Sequence, residues 1–150
     1  MKLYLMRHGQ AASPLQDPEQ GLTAGGRVDI ERLAKQLKQQ GIQIAQFFHS
    51  EKTRARQTAE IMAHCLAPEV ELKVHAHIKP NDDPRQIISE INDWQEDTLI
   101  TSHLPYIPNL LSQLTDDFGS NHAISFDPGT VIFLDKEDDT KWHISWVTSP

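Results

Sequence analysis

The chain has 150 residues, with 14 Lys and Arg against 21 Asp and Glu and a net charge of −7. That length suits one domain with one hydrophobic core, and the acidic balance argues against a nucleic-acid-binding face, which needs clustered basic residues. No apolar stretch approaches the ~20 residues that span a bilayer, the N-terminus lacks a secretory pattern, and the single cysteine, Cys65, leaves no disulfide framework, so a cytoplasmic protein is expected.

The apolar run Leu3-Tyr4-Leu5-Met6 predicts a buried strand over residues 2–8, ending in Arg7-His8-Gly9. Open α/β sheets place ligands at such strand ends. Arg7 brings a permanent charge and a planar donor fork suited to phosphate. His8 is a side chain able to act as a nucleophile near neutral pH. Gly9 lets the backbone turn sharply and a ligand come close. Residues 10–21, with Pro14, Pro18 and Gly21, read as a loop leaving that strand end. Thr23 is a good N-cap for a helix running to about Gln40. Its apolar stripe is Ile30, Leu33, Ala34 and Leu37, and Gly41 is its stop.

Gln46–His49 predicts a second strand, and Ser50 a cap for the helix that follows, with Ala55, Ala59, Met62 and Leu66 on one face. Arg54 lies at the start of that helix, where unpaired N–H groups add positive potential. Taken alone, Arg54 and Arg56 read as solvated helix residues. The alternation over Val70–Ile78 predicts a strand with His75 and His77 on its solvent face. Eight histidines are present, but neither His-Glu-x-x-His nor Cys-x-x-Cys occurs, so no metal site is expected.

Lys79–Pro84 reads as a loop, with Asp83 capping a helix that has Pro84 at its first position and Ile87, Ile88, Ile91 and Trp94 on its buried side. Thr98–Thr101 is a short apolar strand closed by Ser102-His103-Leu104-Pro105. The helix after it carries Ile107, Leu110, Leu111 and Leu114, with Pro105 and Pro108 in or before its first turn. From His122 to Val147 the chain reads as strands. Ala123–Phe126 and Thr130–Leu134 flank the turn Asp127-Pro128-Gly129, and in the last strand Trp142, Ile144 and Trp146 alternate with His143, Ser145 and Val147. Strands alternating with helices and a hairpin-like end predict an α/β fold, a three-layer α/β/α sandwich with a mostly parallel central sheet, as one domain over residues 1–150.

Four landmarks stand in one order: Arg7-His8-Gly9 after a strand, Leu22-Thr23-x-x-Gly26, Ser50 followed by Arg54 and Ala55-x-Gln57-Thr58, and Ser102-His103-x-Pro105. In this the chain resembles the histidine phosphatase superfamily, also called phosphoglycerate-mutase-like. The Ser-His-x-Pro form and the short length are similar to the SixA-type phosphohistidine phosphatases. The resemblance implies that His8 is phosphorylated during turnover, that Arg7 and Arg54 hold the phosphoryl oxygens, and that His103 adds a further donor, without a metal or other cofactor. Members of the short branch carry an arginine just before the second landmark. Here that position is Gln20, a candidate substrate-binding residue, and Arg27 is a neighbour that could supply the missing charge. Larger members place a glutamate general acid near the loop at 79–84. No residue matches it; Asp82 and Asp83 are the candidates, and capping accounts for Asp83.

The resemblance implies as partner a phosphohistidine-containing phosphotransfer protein or sensor kinase domain in signalling, with no nucleic acid or membrane, and a monomer is expected. A chain with little length for lid insertions suggests a site open to a protein surface. An imidazole leaving group, with a reference pKa near ~6.5, departs as a neutral ring and needs less help than an alkoxide. Two alternatives stand beside this one. One is a phosphatase acting on a small phosphate ester or phosphoramidate. The other is a non-catalytic phosphate- or phosphoprotein-binding domain, motivated by Gln20 and the missing acid.

Overall fold

A computed structural model describes residues 1–117, 124–138 and 141–150. In chain order these form β1 (Leu3–Arg7), α1 (Ala24–Gln39), β2 (Gln46–His49), α2 (Thr53–Leu66), β3 (Leu72–Val74), α3 (Arg85–Asp93), β4 (Thr98–Ser102), α4 (Tyr106–Leu114), β5 (Val131–Asp138) and β6 (Lys141–Thr148). The strands make one sheet in the order β3-β2-β4-β1-β5-β6. The β3-β2-β4-β1 ladder is parallel. β5 runs antiparallel to β1, and β6 antiparallel to β5. No helix among the described residues is long and apolar enough to cross a membrane.

The sheet is covered on both faces, giving the expected α/β/α sandwich. On one face Tyr4, Met6, Phe47 and Leu99 pack against Ile30, Leu33 and Leu37 of α1 and Met62 of α2. On the other, Leu3, Leu5, Ile100 and Ile132 pack against Ile87 and Ile91 of α3 and Ile107 and Leu110 of α4. A strand covered on both sides must be apolar throughout rather than alternating, which explains the uninterrupted run in β1. The helix after β1 therefore lies on one face and the helix after the neighbouring β4 on the other. Such a reversal opens a crevice at the strand ends between them, which is where Arg7-His8 and Ser102-His103 sit.

Most elements lie where the pattern puts them. Thr23 caps α1 by accepting the Gly26 N–H at 2.9 Å, and Gly41 takes a left-handed φ of 80° past the end of α1. α3 starts one residue later than expected: Pro84 takes the N-cap position without a side-chain cap and Arg85 is the first helical residue, so Asp83 stands just outside the helix, where it accepts the Arg85 N–H at 2.9 Å.

Several other expectations fail. The strand over Val70–Ile78 shrinks to Leu72–Val74, because β2 offers only Phe47, Phe48 and His49 as partners. His75 is consequently not on a solvent face. It is buried, edge-on to Phe48 and 2.9 Å from the Glu90 carboxylate, while His77 is exposed as expected.

His122 and Ala123 lie outside the described residues, and Ile124–Phe126 form no strand. The free edge of β1 is already taken by β5, and the Phe126 carbonyl is used by Arg7. A bulge in β6 pairs Phe133 with Trp146 and Leu134 with Ile144. Trp146 thus joins the face covered by α1 and α2, while Trp142 and Ile144 join the other, although their alternation predicts one side for all three. Finally, Ser50 does not cap α2: Lys52 takes the N-cap position and no side chain caps the helix, while Ser50 Oγ receives the Lys52 N–H at 3.3 Å and has its closer partner elsewhere.

Candidate active site

β1 delivers Arg7 and His8 to the crevice, and the turn after it is held from three directions. The His8 N–H donates to the Ser102 carbonyl of the β4 end, the Gly129 N–H donates to the His8 carbonyl, and the Arg7 N–H donates to the Thr130 carbonyl, each at 3.0 Å. The Gly9 N–H donates to Thr58 Oγ1 at 3.0 Å, and the Thr58 hydroxyl donates to the Arg54 carbonyl at 2.8 Å. One threonine therefore couples the turn carrying His8 to the helix end carrying Arg54. Its neighbour Gln57 accepts the Leu22 N–H at 2.8 Å, so two adjacent α2 side chains hold the first two landmarks.

His8 is buried. Its Nδ1 lies 2.7 Å from the Gly9 carbonyl, and a carbonyl oxygen only accepts, so Nδ1 carries the proton and Nε2 keeps its lone pair. Burial, then the charges of Arg54 and Arg7, push the His8 pKa down to about 4 against the opposing pull of the Gly9 carbonyl. The ring is neutral at pH 7, as a nucleophile must be.

The Arg7 Nη1 is fixed by the Phe126 carbonyl at 2.7 Å, and its buried Nε has no protein partner among the described residues. Burial lowers the pKa of both Arg7 and Arg54, and Asp127 opposes the shift at Arg7. A guanidinium remains charged regardless.

His103 follows β4 and is buried, its ring centroid 5.2 Å from that of His8. Its Nε2 meets Ser50 Oγ at 2.5 Å, and its Nδ1 is buried without a partner. Burial, then repulsion from His8 once that ring is protonated and from Arg54, hold its pKa down at about 3.

His8, Arg7, Arg54 and His103 are thus brought together. Gln20 stands at the margin, in a left-handed conformation with φ 52°, where it lines an open groove of about 410 Å³ with Pro18, Glu19, Lys52, Thr53 and Arg54. Arg27 lines a separate groove with Glu31, Glu60 and His64 between α1 and α2 and does not join Arg7 and Arg54. Asp82 closes its own turn by accepting the Lys79 N–H at 2.8 Å. Asp83 is engaged by the Arg85 guanidinium, which holds its carboxyl below the usual range. Sequence reasoning missed the bracing by Phe126 and Thr58, the Asp127 charge near Arg7 and the turning of Ser50 toward His103. Only the spacing of Gln57-Thr58 within a shared landmark carried any signal of it.

The family model of the histidine phosphatase superfamily (branch 1) matches residues 3–78. The chain belongs to this superfamily. Its matched segment runs from β1 to the loop after β3 and takes in His8 and Arg54. An uncharacterized protein of Picosynechococcus sp. is 34% identical over 99 residues, 64% of this chain and 57% of that one. The chain thus spans little more than half the length of that curated relative. Among solved structures, the protein histidine phosphatase SixA complexed with tungstate superposes with a TM-score of 0.87 at 24% identity, covering 99% of this chain and 97% of that one. Phosphoserine phosphatase from Entamoeba histolytica in complex with 3-phosphoglyceric acid gives 0.76 at 14%, covering 99% and 97%. At these identities the likeness is one of fold, and the fold is that of the phosphoglycerate-mutase-like histidine phosphatases.

Proposed function

We propose that the chain is a phosphohistidine phosphatase working through a phosphoryl-His8 intermediate. The observation that carries this reading is the His8 tautomer: Nδ1–H given to the Gly9 carbonyl, Nε2 bare and neutral, with Arg7 and Arg54 close enough to depress its pKa. In the first step the Nε2 lone pair forms a bond to phosphorus as the bond from phosphorus to the substrate imidazole breaks. The bonding pair stays on the departing ring nitrogen. When the other nitrogen of that ring is protonated, the leaving group is a neutral imidazole. In the second step a water oxygen bonds to phosphorus, the Nε2 pair returns to His8, and phosphate leaves, with the water's proton passing to solvent or phosphate. Arg7 and Arg54 hold the equatorial oxygens on which charge accumulates, the service that a metal ion performs elsewhere.

The engagement of both candidate acids supports a nitrogen leaving group. Asp82 and Asp83 are both occupied in local turns, and an alkoxide would require a proton that neither supplies. The partner is accordingly a phosphohistidine-bearing phosphotransfer protein or kinase domain. A second reading, a small phosphate ester as substrate, draws on the fold shared with the Entamoeba phosphoserine phosphatase.

Phosphate release measured side by side from a phosphohistidine phosphotransfer domain, phosphoserine and 3-phosphoglycerate, in a chelator, separates the two. Turnover of the protein substrate that survives the chelator and vanishes in His8→Ala is expected. Saturable turnover of one metabolite and none of the phosphoprotein would establish the second reading instead. Vanadate binding without turnover of any would make the chain a binding domain.

A further inference from the structure

We propose that Ser50 is a positioning residue that fixes the tautomer of His103, placing the proton on Nδ1 so that this nitrogen donates to a phosphoryl oxygen. The inference builds on the proposed reaction only in naming the acceptor; the tautomer itself follows from counting donors in a dry site. Ser50 and His103 are both buried, at 0% and 1% exposure. Ser50 Oγ has two neighbours, His103 Nε2 at 2.5 Å and the Lys52 N–H at 3.3 Å. The Lys52 N–H can only donate, so it takes a lone pair of Oγ.

Two arrangements remain. If the Ser50 hydroxyl donates to His103 Nε2, every polar group of Ser50 is satisfied and one orphan is left, the His103 Nδ1–H. If His103 Nε2–H donates to Ser50 instead, Oγ receives two donors and its own proton has no acceptor among the described residues. Nδ1 then also keeps an unmatched lone pair. Buried polar groups are overwhelmingly hydrogen-bonded, so the arrangement with one orphan prevails over that with two.

That one orphan points to a ligand. His103 Nδ1 has no protein partner among the described residues, and its ring stands beside that of His8, where the phosphoryl group would be carried. A donor left unpaired in the free protein and matched when an oxyanion arrives stabilises the loaded state selectively. The depressed pKa of His103 keeps the ring neutral, so the choice of nitrogen matters at pH 7. Lys52 and Arg54 follow Ser50 within the same helix start, so one short segment sets both the cation and the tautomer.

The test is a long-range ¹H–¹⁵N spectrum of the ¹⁵N-labelled full chain near pH 7, with the His103 signals assigned by their absence from His103→Gln. A protonated Nδ1 and a bare Nε2 are expected in the wild type, with the Nδ1–H resonance shifting when vanadate is added. An Nε2–H tautomer, or an Nδ1–H unmoved by saturating vanadate, would overturn the inference. Because this spectrum needs no turnover, it stands or falls separately from the choice of substrate. In Ser50→Ala the preference for Nδ1–H should be lost and vanadate affinity should fall on the order of tenfold, as for loss of one positioned donor. Ser50→Thr, which keeps the hydroxyl, should restore the tautomer. A Ser50→Ala protein with the wild-type tautomer and affinity would likewise refute the role.

Discussion

Which nitrogen of His8 is free depends on a single carbonyl. The Gly9 oxygen at 2.7 Å takes the Nδ1 proton, and the remaining nitrogen is the one able to attack. Around it the two arginines differ in attachment. Arg7 is pinned to Phe126, whereas Arg54 sits at the second position of α2 beside the open groove that Gln20 also lines. Removing Arg54 therefore removes charge without removing a brace. Arg54→Ala is expected to weaken both vanadate binding and turnover by ~1.5–3 kcal/mol, the value of a charge-assisted hydrogen bond. A vanadate inhibition curve checks it, and an unchanged curve would remove Arg54 from the site. Both arginines and both histidines were legible in the sequence because each lies at a strand end or helix start inside a spaced landmark. Ser50 was read as a cap, since sequence shows what a hydroxyl can reach along the chain and not that His103, 53 residues away, competes for it.

The elements that hold these residues meet at very close range. α1 begins against the backbone of Gln10: the Thr23 N–H donates to the Gln10 carbonyl at 3.0 Å, and a Cβ on Gly26 would run into that same oxygen. The second landmark thus has a packing reason, since only a glycine lets the helix start lie on the turn after His8. Gly26→Ala should destabilise the fold by ~1–3 kcal/mol, the usual cost of overpacking a rigid contact. Its urea midpoint should fall with an unchanged slope, and a wild-type midpoint would show that the helix can withdraw at no cost. Helices α1 and α4 and strands β1, β2 and β4 were readable from period and capping. β3 and β6 were misread for reasons of pairing. A strand extends only as far as its neighbour, and β2 ends at His49. A bulge adds one residue and changes which face the rest of the strand presents, which no alternation count detects.

Across the whole molecule, the sheet order places the helix after β1 and the helix after β4 on opposite faces, and the crevice between them collects two buried neutral histidines. That arrangement ties activity to acid sensitivity. His8 and His103 titrate near 4 and 3 in the fold and near ~6.5 when unfolded. Between those values the unfolded chain binds more protons than the native one, so stability falls as pH falls through the window from about 6.5 to about 4. Each histidine contributes a slope of up to ~1.4 kcal/mol per pH unit there. Denaturation midpoints measured from pH 7 to pH 4 should decline more steeply for the wild type than for a His8→Ala/His103→Gln double variant. Parallel declines would mean that both rings protonate freely in the fold.

The proposed reaction requires phosphorus to bond to His8. The most direct measurement is to quench the chain early in turnover of a phosphohistidine-bearing protein, keep it at alkaline pH, and map the phosphoryl group by mass spectrometry. An acid-labile phosphoryl group is expected on the peptide containing His8, absent from His8→Ala and accumulating no further once substrate is exhausted. Full turnover with no phosphoryl group on His8, or with wild-type rates retained in His8→Ala, would contradict it.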